Sequence, residues 1–150
     1  MYKRQGSGNS YRRFAIIRLA ELYLNYAEAL NEAEGPTAEV YNAVNKIRRR
    51  AQLLDLPANL TKDEMRNKIR QERRVELAFE NHRFWDVRRW KIAEIVDNKK
   101  VHKITVNADG TYSYPVFQNR VFDKAKHYLF PIPQSEIDKN RNLVQNPGWN

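Results

Sequence analysis

The chain has 150 residues, of which 41% are hydrophobic and 30% charged, so it can fold around a core and is not compositionally disordered. It has no cysteine, which excludes disulfides, thiolate catalysis and cysteine-ligated zinc or iron–sulfur centres. No apolar run approaches the ~20 residues that cross a bilayer as a helix. The net charge of +9 points to nucleic acid or an anionic surface only if it is concentrated.

It is spread along the chain. Residues 1–60 carry 9 basic and 6 acidic groups, 61–98 carry 10 and 8, and 99–150 carry 8 and 4. One domain is expected over 1–150, with the polar, glycine-bearing residues 1–10 as a flexible leader. Ile16, Leu19, Ala20, Tyr23, Tyr26, Ala27 and Leu30 recur at steps of three and four, which predicts a helix from Ile16 to Glu34 that Gly35-Pro36 stops. Thr37 can cap a second helix with the stripe Val40, Tyr41, Val44, Ile47 and Ala51, and the tight connection makes the pair a helical hairpin. Thr61-Lys62-Asp63-Glu64 has the form of a capping box and opens a third helix expected to reach Asn81. A fourth is expected from about Arg83 to Val96, with Phe84, Val87, Trp90, Ile92 and Ile95 on its apolar face.

After Lys100 the period changes to two. Ile104, Val106, the turn Asn107-Ala108-Asp109-Gly110, then Tyr112 and Tyr114 read as a β-hairpin. Pro131 and Pro133 keep the following segment extended, Ser135 can cap a short helical turn, and the tail ending Asn146-Pro147-Gly148-Trp149 is too apolar for a linker. The fold class is all-α, made of tetratricopeptide-like helical hairpins with a small β-hairpin and an irregular C-terminal segment.

No constellation of residues supports catalysis. Glu72, Glu76 and Glu80 lie four apart on one helix face, whereas a glycoside-hydrolysing pair must flank the scissile bond. Arg70, Arg73, Arg74 and Arg83 are close in sequence and favour structural ion pairing of those carboxylates. His82, His102 and His127 complete no Glu-x-x-His or HExxH motif, and no phosphate loop or nucleophile elbow occurs, so no metal, cofactor or enzymatic activity is expected. The basic run Arg48-Arg49-Arg50 fans through about 200° of a helix and suits a solvated helix end better than a nucleic-acid groove. Most of the 17 aromatic residues, including Tyr23, Tyr26, Phe79, Phe84 and Trp90, fall on apolar stripes and are expected in the core. Tyr112 and Tyr114 differ, standing near a hairpin turn where exposure is common; they are the candidate ligand-binding residues, with cross-strand packing the competing reading.

Three strings in order resemble the SusD/RagB family of nutrient-binding outer-membrane lipoproteins. They are Arg18-Leu19-Ala20-Glu21-Leu22-Tyr23-Leu24-Asn25-Tyr26-Ala27-Glu28-Ala29-Leu30, the run from Glu72-Arg73-Arg74 through Phe84-Trp85-Asp86 to Trp90, and Tyr128-Leu129-Phe130-Pro131-Ile132-Pro133 with Gln145-Asn146-Pro147-Gly148. The resemblance implies a glycan-binding, non-enzymatic protein at the cell surface that captures oligosaccharide for a TonB-dependent, SusC-like outer-membrane barrel. Family members are several times longer and lipid-anchored, so the chain is expected to be a C-terminal portion, associated with a membrane only through an anchor outside it. The alternative is a tetratricopeptide-like scaffold that binds protein.

Overall fold

A computed structural model describes residues 16–149. These gather into two compact units, one reaching to Arg83 and the other beginning at Phe84. The leader expected over 1–10 lies outside the described residues.

The first unit is helical. α1 (Leu19–Glu34) ends at Gly35, whose N–H bonds back to the Asn31 carbonyl at 3.0 Å, and α2 (Ala38–Arg50) follows after a three-residue connection. α1 begins three residues later than expected, leaving Ile16 and Ile17 exposed. Thr37 occupies the N-cap of α2 without a capping hydrogen bond, and its hydroxyl is buried unpartnered, so the second helix is held by its packing. α3 (Lys62–Glu76) does begin with the full capping box: the Thr61 hydroxyl accepts from the Glu64 N–H, and the Glu64 carboxylate accepts from the Thr61 N–H at 2.8 Å.

α1 packs on both α2 and α3. Ala27, Val40, Ala43, Val44, Leu56, Met65 and Ile69 form the main core, and Leu24, Ile47 and Leu77 a second cluster. The 51–61 connection is tied down by the buried Asn45, which accepts from the Leu56 N–H at 2.9 Å, and by the half-buried Tyr41, whose hydroxyl accepts from the Leu60 N–H at 2.9 Å.

α3 stops at Glu76, five residues short of the expected Asn81. Phe79 and Asn81 adopt left-handed backbone (φ +63° and +66°), so the chain turns through 77–81 although apolar residues continue at helical spacing. The expected single helix over 83–96 is two helices, α4 (His82–Arg89) and α5 (Ala93–Val96), divided where Lys91 has φ +53°.

In the second unit Val87, Ala93 and Phe122 form the core, with Ile92, Val96 and Tyr128 against it. The β-hairpin is longer than expected: β1 (Lys100–His102) pairs antiparallel with β4 (Val116–Asn119), and β2 (Thr105–Val106) with β3 (Tyr112–Ser113). The short helix α6 (Gln134–Lys139) starts behind Pro133, whose fixed φ sets the entry, and Ser135 lies inside its first turn instead of capping it. The tail folds back: the Gln145 amide both accepts from the Ile132 N–H (2.8 Å) and donates to its carbonyl (2.9 Å), and the Trp149 indole N–H donates to the Leu129 carbonyl (3.1 Å). Gly148 (φ +76°) permits this, since a Cβ there would stand 3.0 Å from the Lys126 Cβ.

Candidate functional site

The hairpin carrying Tyr112 and Tyr114 is rooted in the second unit by Asn98. Its amide accepts from the Phe122 N–H at 2.5 Å and donates to the Phe122 carbonyl at 3.0 Å, and Phe122 is part of the core. At the far end, the turn closes through the Gly110 N–H to the Asn107 carbonyl at 3.0 Å, with Gly110 at φ +79°. Asp109 accepts from both the hydroxyl (2.7 Å) and the N–H (3.0 Å) of Thr111, bonds that hold its carboxyl below the usual range.

Between root and tip the register decides what the ribbon shows. Val116 pairs with His102, Ser113 with Thr105 and Tyr112 with Val106, one continuous register that sets Tyr114 opposite Ile104. Strand alternation then gathers His102, Ile104, Val106, Tyr112, Tyr114 and Val116 on one face. That face is exposed, Tyr112 at 61% and Tyr114 at 62%, whereas Thr105 and Ser113 on the opposite face are half-buried. The ribbon thus turns its small hydroxyl side chains inward and its aromatic and aliphatic ones outward. His102 Nδ1 donates to the Tyr114 carbonyl at 2.7 Å and holds the two strands together beside the tyrosines.

The carboxylates of α3, and Glu80 just beyond it, are engaged elsewhere. Arg18 donates to Glu76 at 2.5 Å and to Glu80 at 2.7 Å, Arg50 to Glu76 at 2.6 Å, and Arg48 to Glu72 at 2.8 Å. Arg73 donates to Asn25 at 2.6 Å, which ties α3 to α1. Burial draws the Arg18 guanidinium down, but its bonds to Glu80 and Glu76 outweigh this and leave it raised. Arg49 pairs with Asp55, so each arginine of the basic run has a carboxylate partner. A cleft of about 280 Å³ beside this network is lined by Arg18, Tyr23, Lys46, Ile47 and Arg50.

Several aromatic residues expected in the core are not there. Phe79 is 95% exposed because the chain has left the helix before reaching it, and Tyr26 instead directs its hydroxyl to Glu39 at 2.6 Å. Phe84 is partly exposed and packs on Trp85 and Phe130, with the Arg88 guanidinium 3.5 Å from its ring centroid.

Residues 2–149 match the model of the SusD family. The chain belongs to that family. The SusD-like protein P2 of Formosa agariphila is 36% identical over 155 residues, spanning 95% of this chain and 28% of that protein. A solved SusD-like protein from Bacteroides fragilis shares the fold at a TM-score of 0.81 and 38% identity, over 90% of this chain and 26% of that one. A SusD-like carbohydrate-binding protein from Bacteroides vulgatus, 24% identical, has the same fold at a TM-score of 0.60 over 87% of this chain and 30% of that one. The chain therefore spans between a quarter and a third of the length of these SusD-like relatives. The two parts of the SusD-type string at the end of the second unit pack on each other: Asn146 donates to the Phe130 carbonyl and Gln145 to the Ile132 carbonyl.

Proposed function

We propose that the chain is the C-terminal helical part of a non-catalytic glycan-capture protein. It binds oligosaccharide at the cell surface by stacking and hydrogen bonding and passes it to a TonB-dependent, SusC-like outer-membrane barrel. The observation that carries this reading is the outward face of the ribbon. Tyrosine rings expose flat apolar surfaces and a hydroxyl each, which suits a sugar with one apolar face and a rim of hydroxyls. Family membership supplies the context, and the B. vulgatus relative, alike in fold, is named for carbohydrate binding. The ion-paired state of Glu72, Glu76 and Glu80 agrees with a role other than hydrolysis.

Electrophoresis in native gels containing a panel of neutral and acidic polysaccharides tests the reading. Retardation by at least one glycan, lost in Y112A/Y114A, is the expected result; a chain slowed by no polysaccharide contradicts it. A second reading, a scaffold that binds a partner helix, rests on α1: Leu19, Leu22, Tyr26, Ala29 and Ala33 are all exposed at alternating steps of three and four. It gains ground if the protein pulls down a polypeptide and no sugar.

A further inference from the structure

We propose that the glycan bound by the ribbon face is anionic, a polymer bearing carboxylate or sulfate groups; this rests on the reading of the face as a sugar site. Of the three stretches of sequence compared above, residues 99–150 carry the largest cationic excess. The structure places half of those eight basic residues on the hairpin, where Lys99, Lys100, Lys103 and Arg120 stand at its stem. The stem is held as a unit, since the Arg120 N–H donates to the Lys99 carbonyl at 3.0 Å and the Lys103 N–H to the Pro115 carbonyl at 3.1 Å.

None of these four side chains has an ion-pair or hydrogen-bond partner among the described residues, whereas Arg18, Arg48, Arg49 and Arg50 of the first unit are spent on carboxylates. The single acid between residues 98 and 122 is Asp109, which stands at the far turn and bonds Thr111 there. Two acids flank the stem: Asp97 lies near enough to act on Arg88, and Asp123 accepts from the Ala125 N–H at 2.9 Å. Four basic residues against one acid leave the hairpin a net charge of +3 between residues 98 and 122.

Position relative to the rings gives that charge its meaning. Along the first strand, His102 alternates onto the same face as Ile104 and Val106 while Lys103 projects to the other side; Lys100, exposed like His102, stands nearer the root, beyond a register shift between Val101 and His102. The face runs roughly 20 Å, with cations at the root and both tyrosines toward the tip. A polymer lying along it would stack sugar rings on Tyr112 and Tyr114 and set acidic substituents against Lys100, with Lys99, Lys103 and Arg120 deepening the local potential. A neutral glycan uses only half of this arrangement. A polyanion without rings uses only the other half.

Matched polymers separate these cases: dextran, dextran sulfate, polygalacturonate and poly-glutamate, each in native affinity gels with the whole chain. Dextran sulfate or polygalacturonate is expected to bind at least about tenfold more tightly than dextran and than poly-glutamate, and to weaken as salt is raised. Both Y112A/Y114A and K100Q/K103Q/R120Q are expected to lose about tenfold in affinity for the acidic glycan. K68Q/R74Q/R141Q, which removes the same charge from outside the hairpin, should change it by less than about twofold. Equal binding of dextran and its sulfate overturns the anionic class and leaves the glycan reading standing. Binding of poly-glutamate as tight as of the acidic glycans, or retention of full affinity by Y112A/Y114A, overturns the proposal by reducing it to charge alone. Failure to bind any sugar polymer removes the glycan reading beneath it.

Discussion

Glu76 is the residue on which the first unit's charge network converges, accepting from Arg18 and Arg50 with its own side chain only 8% exposed. Replacing it by glutamine removes a carboxylate and leaves two guanidinium groups facing an amide. Glu76→Gln should lower unfolding stability by about 1–3 kcal/mol in urea titration. A loss below about 0.5 kcal/mol would show the network to be a screened surface array. Glu64 offers a pH-dependent case. Its bonds to the Thr61 N–H and hydroxyl hold its carboxyl below the ordinary 4.5. Because the folded-state value is the lower one, this contribution is complete above about pH 5 and is lost as the pH falls through the folded value. Thermal melts at about pH 7 and pH 3 should show a larger drop for the native chain than for Glu64→Gln, which cannot titrate. Equal drops would mean the capping box contributes no pH dependence.

At the scale of elements, sequence reasoning reads best where the signal is local. The Thr61 box needs only four residues, and the start of α3 follows from them. The turn at Asn107-Gly110 is likewise local, so the hairpin is legible. The end of α3 and the break at Lys91 are not, because apolar spacing continues across both while the backbone turns left-handed at Phe79, Asn81 and Lys91. Which side of the ribbon would face outward was equally hidden. Alternation places Tyr112 and Tyr114 together, but only the root at Asn98 and Phe122 fixes which side is turned away from solvent. Asn98→Ala should therefore cost the second unit about 1–3 kcal/mol, read by loss of amide-exchange protection in the hairpin stem. Unchanged protection would mean the ribbon holds its place without that clamp. Gly148→Ala should also destabilise, by about 1–3 kcal/mol, since it meets both a positive φ and the Lys126 side chain.

For the whole molecule, the division between the two units is also a division of charge use. In the first unit arginines and glutamates join helices: Arg73 bonds Asn25, and Arg18, Arg48 and Arg50 reach α3 carboxylates. On the hairpin, basic side chains stand at the root without such partners among the described residues, and exposed rings stand toward the tip. The sequence strings that carry the SusD resemblance belong mostly to the first kind, which is why they reveal the family and the fold but not the ligand. Tyr112 and Tyr114 are exposed and support no core, so Y112A/Y114A should melt within about 0.5 kcal/mol of the native chain while losing sugar binding.

The most direct measurement is NMR of the chain with isotope-labelled tyrosine rings, titrated with oligosaccharides of whichever polymer retards it in gels. The account predicts that the ring resonances of Tyr112 and Tyr114 shift and saturate together with binding, while those of Tyr23 and Tyr41, packed against the helical core, stay in place. Binding that leaves the Tyr112 and Tyr114 resonances unmoved would contradict the claim that this face holds the sugar.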